Sequence, residues 1–226
     1  MAALLGCMGG PGLAWGSQVL PVRGPWREAV HSTSIRRGWH LDHVAGVCSL
    51  LNGVLYALAV LRWGWSVTTI FYAALFSVLV MVAVIDTQHR RIPDRITFPA
   101  MAVGAAVVVG ATCWTAPVDR LAAAAVAALV LWGGLGVAHL VSPRGLGRGD
   151  VKLGVVLGIA IGWEAASTAA AWRASFAALL LASLIGTALG LVLLVLKRRS
   201  EPYPFGPALS AGAIAIMLGS GSAMFG

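Results

Sequence analysis

Of 226 residues, 59% are hydrophobic and only 11% are charged, whereas a soluble domain carries roughly 25% charged residues to cover its core. That excludes a soluble globular domain, and the apolar runs of about 20 residues match the length that crosses a ~30 Å hydrocarbon layer as helices. The net charge of +8 would suggest nucleic acid in a soluble protein; here it reads as basic loops beside a membrane, and no nucleic-acid partner is expected.

Lipid offers no water to unpaired backbone groups, so only helices or closed barrels span it. A barrel needs ~10-residue segments of alternating polarity, and runs such as Leu121 to Val141 are continuously apolar instead. The expected fold is all-α, a polytopic transmembrane helical bundle of seven to eight membrane helices. In chain order, a weak first helix covers residues 2–20, broken by Gly9, Gly10, Pro11 and Gly12. No basic residue precedes its apolar part, so a cleaved signal peptide is not expected. A basic loop runs to Asp42. Seven apolar segments follow, at His43 to Leu61, Ser66 to Ile85, Arg95 to Cys113, Val118 to Val141, Val151 to Trp163, Ala174 to Leu196, and Pro207 to Phe225.

The 16 lysines and arginines divide between alternate loops as 13 against 3. The larger set includes Arg90, Arg91, Arg95, Arg144, Arg148, Lys152 and Lys197; the smaller is Arg62, Arg120 and Arg173. The excess of basic residues marks the cytoplasmic side, and the alternation holds only for this segment count. The expected location is the inner (cytoplasmic) membrane, multi-pass. Cys7, Cys48 and Cys113 stand singly and form no C-x-x-C, so they read as small buried hydrophobes. His31, His40 and His43 read as interface residues, and no metal site is expected. Trp63, Trp65 and Trp163 near helix ends fit an interfacial belt.

Only eight acidic residues are present, and ionisable groups at membrane depth mark function by default. Asp86 follows directly on the second of the apolar segments and Asp150 opens the fifth, so the topology puts both on one membrane face. Two carboxylates within a few Å cannot both ionise. One then takes a proton from water while the neutral one donates to a scissile carbonyl oxygen. Their titrations are coupled, so sequence assigns neither role, although the helix N-terminus favours an anion at Asp150. Gly147 and Gly149 permit a tight turn and close approach. Gly154, Gly158 and Gly162 repeat every four residues and make a flat strip for helix packing in lipid.

Three segments carry a resemblance to a known family. They are Asp86-Thr87-Gln88-His89-Arg90-Arg91-Ile92-Pro93-Asp94, Gly147-Arg148-Gly149-Asp150-Val151-Lys152-Leu153, and Pro204-Phe205-Gly206-Pro207-Ala208-Leu209. They resemble the prepilin peptidase (type IV leader peptidase) family of GxGD intramembrane aspartyl proteases, from roughly Ser66 onward. The resemblance implies that Asp86 and Asp150 are the catalytic pair of an aspartic endopeptidase. Its substrate would be a prepilin or pseudopilin precursor, whose leader peptide is cut at the cytoplasmic face without a cofactor. Residues 43–226 would form the peptidase domain, and 1–42 the weak helix and basic loop. Many members insert a domain with two C-x-x-C pairs linked to N-methylation; this short form lacks those cysteines, so methyltransferase activity is not expected.

Around the pair, Pro93, Asp94, Gly147, Gly149, Lys152, Pro204, Phe205, Gly206 and Pro207 are candidate substrate-binding or site-shaping residues. Asp94 reads otherwise as a helix cap, Lys152 as a snorkelling interface residue, and the Pro-Phe-Gly-Pro run as a loop that starts a helix. The alternative function is a proton-coupled membrane transporter with Asp86 and Asp150 as relay groups. Transporter sites lie near the midplane between inverted repeats, and no repeat is evident.

Overall fold

The computed structural model describes residues 38–114, 117–143, 145–197 and 204–219, with side chains described from Ala45 to Leu196 and again from Pro204. The proposed first helix over 2–20, His31 and the basic loop up to residue 37 lie outside them, as do the side chains of His40 and His43 and the end of the last segment. Seven helices occupy the described residues, with no strand among them: α1 (Gly38–Trp63), α2 (Val67–His89), α3 (Asp94–Trp114), α4 (Val118–Val141), α5 (Arg148–Glu164), α6 (Thr168–Lys197) and α7 (Gly206–Gly219). Among the described residues, five helices are long and apolar enough to cross a membrane: all or most of α1, α2, α3, α4 and α6. The protein is a polytopic helical membrane protein.

Large apolar side chains point outward along these helices, among them Leu61, Val67, Leu140, Leu184 and Val195. That is the arrangement expected where lipid is the solvent. Cys48 is buried as expected, but Cys113 is exposed near the end of α3. A thiol is apolar enough to face lipid as readily as core.

The chain forms two compact units, residues 1–93 and 94–226. In the first, α1 and α2 pack together. Ser66 caps α2 by accepting from the Thr69 amide at 3.2 Å. Trp63 stacks on Tyr72 with centroids 4.3 Å apart, and the Arg62 guanidinium lies over the Trp63 ring. Deeper in the pair, the Ser77 hydroxyl donates to Asn52 Oδ1 at 3.0 Å and meets the Tyr56 hydroxyl at 2.9 Å.

In the second unit, α5 is the central helix and touches α3, α4, α6 and α7. Its glycine strip faces α4. A Cβ on Gly154 would lie 2.6 Å from Leu135 Cδ1, and one on Gly162 would lie 2.5 Å from Ala124 Cα. A Cβ on Gly158 would collide with the Ala127–Ala128 backbone. The opposing surface of α4 is equally smooth, with Ala123, Ala124 and Ala127 buried. Two helices bare of side chains along one line can meet backbone to backbone, which dispersion favours where no hydrophobic effect acts. Gly212 does the same for α7 against α6, since a Cβ there would lie 2.8 Å from the Ala182 amide nitrogen.

Four boundaries differ by three residues or more from the sequence expectation: α1 begins at Gly38, inside the expected basic loop, and α2 runs on to His89, so that Asp86 lies within it. α5 begins at Arg148, three residues ahead of the expected Val151, and Asp150 lies in its first turn. α6 begins at Thr168, where Ser167 Oγ accepts from the Ala170 amide at 3.2 Å. The polar Trp172-Arg173 pair reads as loop in sequence, yet the Ser167 cap starts the helix ahead of it.

Replacing Gly158 by Val should destabilise the protein by about 1–3 kcal/mol, as overpacking a tight contact does. Gly136→Ala, on α4 where an added Cβ meets nothing within 4 Å, should be neutral or stabilising by up to ~1 kcal/mol. Thermal unfolding of the two variants in detergent micelles reads the difference.

Candidate active site

Among the described residues, the buried charged side chains are Asp86 and Asp150, exposed by 5% and 6%. Asp94 and Asp119 are exposed and Glu164 is half-buried. Burying a carboxylate costs several kcal/mol unless partners compensate. The fold therefore hides the two acids singled out by motif and leaves the structurally ordinary ones wet.

Asp86 belongs to the first unit, in the last turn of α2. Its backbone carbonyl accepts from the Arg90 amide at 2.8 Å. Arg90 itself adopts left-handed geometry (φ 52°, ψ 38°), a conformation costing roughly 1–2 kcal/mol for a residue with a Cβ. A left-handed residue closing a helix by this bond is a common stop, usually filled by glycine. Here an arginine bears the strain, and the chain turns immediately after the acid. Pro93 follows, half-buried, before α3 begins.

Asp150 belongs to the second unit. Gly147 precedes α5 in extended backbone (φ −75°, ψ 153°). Its N–H donates to Asp150 Oδ2 at 3.0 Å, and its carbonyl accepts from the Asp150 amide at 3.2 Å. The carboxylate thus reaches back over the helix start, where free N–H groups favour negative charge. A Cβ at Gly147 would lie 3.2 Å from Asp150 Oδ2, so glycine leaves the carboxylate its place. Gly149 is half-buried in the first turn.

Lys152 pairs with Asp94. Its Nζ lies 2.6 Å from Asp94 Oδ1 and 4.8 Å from the centre of the Phe98 ring. The pair ties the first turn of α3 to the second turn of α5. Asp94 opens α3, as a helix-start acid should, but its side chain is engaged by a lysine from another helix.

The Pro204-Phe205-Gly206-Pro207 run starts α7. The Phe205 carbonyl accepts from Leu209 N at 3.0 Å, and a Cβ on Gly186 of α6 would meet the Phe205 ring at 3.2 Å. Pro207 sits in the first turn, where its missing N–H costs nothing. Of the residues nominated by sequence, the structure groups Asp150, Gly147 and Gly149 at one helix start and joins Lys152 to Asp94. Pro204 to Pro207 sit at the start of α7, while Asp86 and Pro93 belong to the other unit. Among the described residues, no three of His, Cys, Asp and Glu gather as a metal ion would need.

One contributor has no motif to betray it. His139, in the last turn of α4, places Nδ1 2.7 Å from the Leu146 carbonyl oxygen. Its only signal in sequence is a polar ring in an otherwise apolar helix.

A sequence profile of the type IV leader peptidase family matches residues 73–191, which include Asp86, Asp94 and Asp150 but not Pro204 to Pro207. No curated protein and no solved structure matches the chain.

The Lys152–Asp94 bridge is 35% exposed on the lysine side and 57% on the aspartate side, so water screens it. A double-mutant cycle with Lys152→Met and Asp94→Asn should give a coupling of about 0.2–1 kcal/mol. The coupling should shrink as salt rises from 0.05 to 0.5 M (~0.05 to ~0.5 M, spanning the Debye screening range); unfolding midpoints of the four proteins measure it.

Proposed function

The chain belongs to the type IV leader peptidase family, and on that premise we propose that it is an aspartic endopeptidase using Asp86 and Asp150 as its catalytic pair. The substrate is a prepilin or pseudopilin precursor, cut between its short basic leader and its mature part. Cleavage takes place at the cytoplasmic face of the inner membrane. The observation that carries this reading is the burial of these two acids, and of no other charged side chain among the described residues.

The chemistry proceeds through one ionised and one protonated carboxyl group. The ionised group removes a proton from water as the water oxygen attacks the scissile carbonyl carbon, and the protonated group gives its proton to the carbonyl oxygen. A tetrahedral diol results, with the proton count conserved. Its collapse breaks the C–N bond and returns a proton to the leaving amine, regenerating the pair. The Gly147 N–H bond to Asp150 Oδ2 holds that carboxylate's orientation. The basic residues around both motifs, with the 13-to-3 bias of lysine and arginine, support the cytoplasmic placement. Asp94, Lys152 and the Pro204 to Pro207 run shape the site or the substrate's path. Without the paired C-x-x-C motifs, the chain carries no zinc-supported N-methylation; a mature pilin incubated with the protein and a methyl donor should gain no methyl group.

Co-expression with a pilin-like precursor tests the pair. Asp86→Asn and Asp150→Asn should each lower processing by on the order of 10³-fold or more, since members of a catalytic unit are individually indispensable. Asp94→Asn should retain partial activity. Unimpaired processing in either of the first two variants would refute the pair. Solute flux into liposomes together with an intact precursor would favour a transporter instead.

A further inference from the structure

We propose that His139 is a positioning residue for Asp150, acting through the single peptide group that joins Leu146 to Gly147; the catalytic part of this inference rests on the reading of Asp150 above. The Leu146 carbonyl and the Gly147 N–H belong to one planar unit, because resonance holds the peptide flat. The carbonyl end lies 2.7 Å from His139 Nδ1. The N–H end donates to Asp150 Oδ2 at 3.0 Å. One plane is therefore held at both ends, by an imidazole from α4 and by the carboxylate from α5.

The direction of the first bond follows from the acceptor. A carbonyl oxygen has no proton to give, so Nδ1 carries the proton and donates. Donation to the carbonyl polarises the amide, and bonds in such a chain strengthen one another. Rotating the peptide about its flanking bonds would break both contacts together. Two further backbone bonds of the linker lie ahead of this peptide. Ser142 is the first residue past α4, and its carbonyl receives the amides of both Gly145 and Leu146, at 3.0 and 3.1 Å. Those bonds shape the turn before the peptide, and neither fixes its plane. Leu146 is buried, so bulk water does not compete readily for its carbonyl.

The sequence neighbourhood agrees with this assignment. Gly147 lacks a side chain, and a Cβ there would crowd Asp150 Oδ2, so what Gly147 offers the carboxylate is its backbone N–H. A backbone donor is only as well aimed as its peptide plane. His139 supplies the aim from a rigid helix, whose contact with α5 along the glycine strip fixes the distance between the two ends of the clamp.

The test uses two substitutions in the full chain. His139→Leu removes the donor; His139→Asn keeps an N–H at nearly the place of Nδ1. With a pilin-like precursor that the wild type processes, His139→Leu should lower kcat about 10- to 100-fold, the loss expected for a misaimed catalytic group. KM should stay within about two-fold, and His139→Asn should recover kcat to within about five-fold of wild type. Amide hydrogen exchange over residues 143–153 should be faster in the leucine variant and near wild type in the asparagine variant. A leucine variant with wild-type kcat, an asparagine variant as slow as leucine, or exchange rates equal in all three proteins would overturn the inference. If the wild type processes no pilin-like precursor, the substrate reading above fails by itself. The exchange rates then decide on His139: a leucine-specific increase supports the clamp, and its absence removes it.

Discussion

The second unit depends on one constraint: α4 and α5 approach until their backbones touch. Inside lipid, burying leucine gains little over leaving it among acyl chains, so helix association rests on dispersion and shape. Gly154, Gly158 and Gly162 provide the shape on one side, and Ala123, Ala124 and Ala127 provide it on the other. The contact fixes where α5 begins relative to the end of α4. Asp150, Gly147 and His139 all take their positions from that relation. Precision at the helix start is thus a property of packing spread over three turns, not of the loop.

The same design explains how a short helix can hold a charge. α5 has 17 residues, or about 25 Å at helical rise; three of the helices it touches have 21 to 30 residues and α7 has 14. Being central, it is packed by protein along much of its length, so Asp150 is buried although Gly147 and Arg148 at the helix start are exposed. Lower polarity around that turn strengthens each hydrogen bond it makes and penalises each one left unmade. The Asp150 carboxylate satisfies part of that demand from its own helix cap.

Most of the helical frame was legible in the sequence, because a membrane span needs only a long apolar run and a basic flank. Val118 to Val141 is found at its expected limits. The start of α6 was harder, since Arg173 breaks the hydropathy although Ser167 supplies a capping signal. Of the candidate site residues, those with motifs were the ones nominated from sequence, Asp86, Asp150, Gly147 and Gly149, and the two acids among them are buried. The commitment of Lys152 to Asp94 was not, because 58 residues separate the partners and a charge pair leaves no local pattern. His139 was hidden for a related reason. Its acceptor is a backbone carbonyl, which every residue possesses and no residue type announces.

In the first unit, the polar trio of Asn52, Ser77 and Tyr56 has a consequence for α1 and α2. An amide buried to 1% exposure in a hydrocarbon setting has few other groups to satisfy it, and Ser77 also bonds Ala73 of its own helix. Sliding α1 by one turn, about 5.4 Å, would carry Asn52 and Tyr56 past their shared hydroxyl together. Apolar faces tolerate such slippage; this trio does not. It acts as a register pin, giving two smooth greasy cylinders a single permitted alignment and so a defined depth for the acid at the far end of α2.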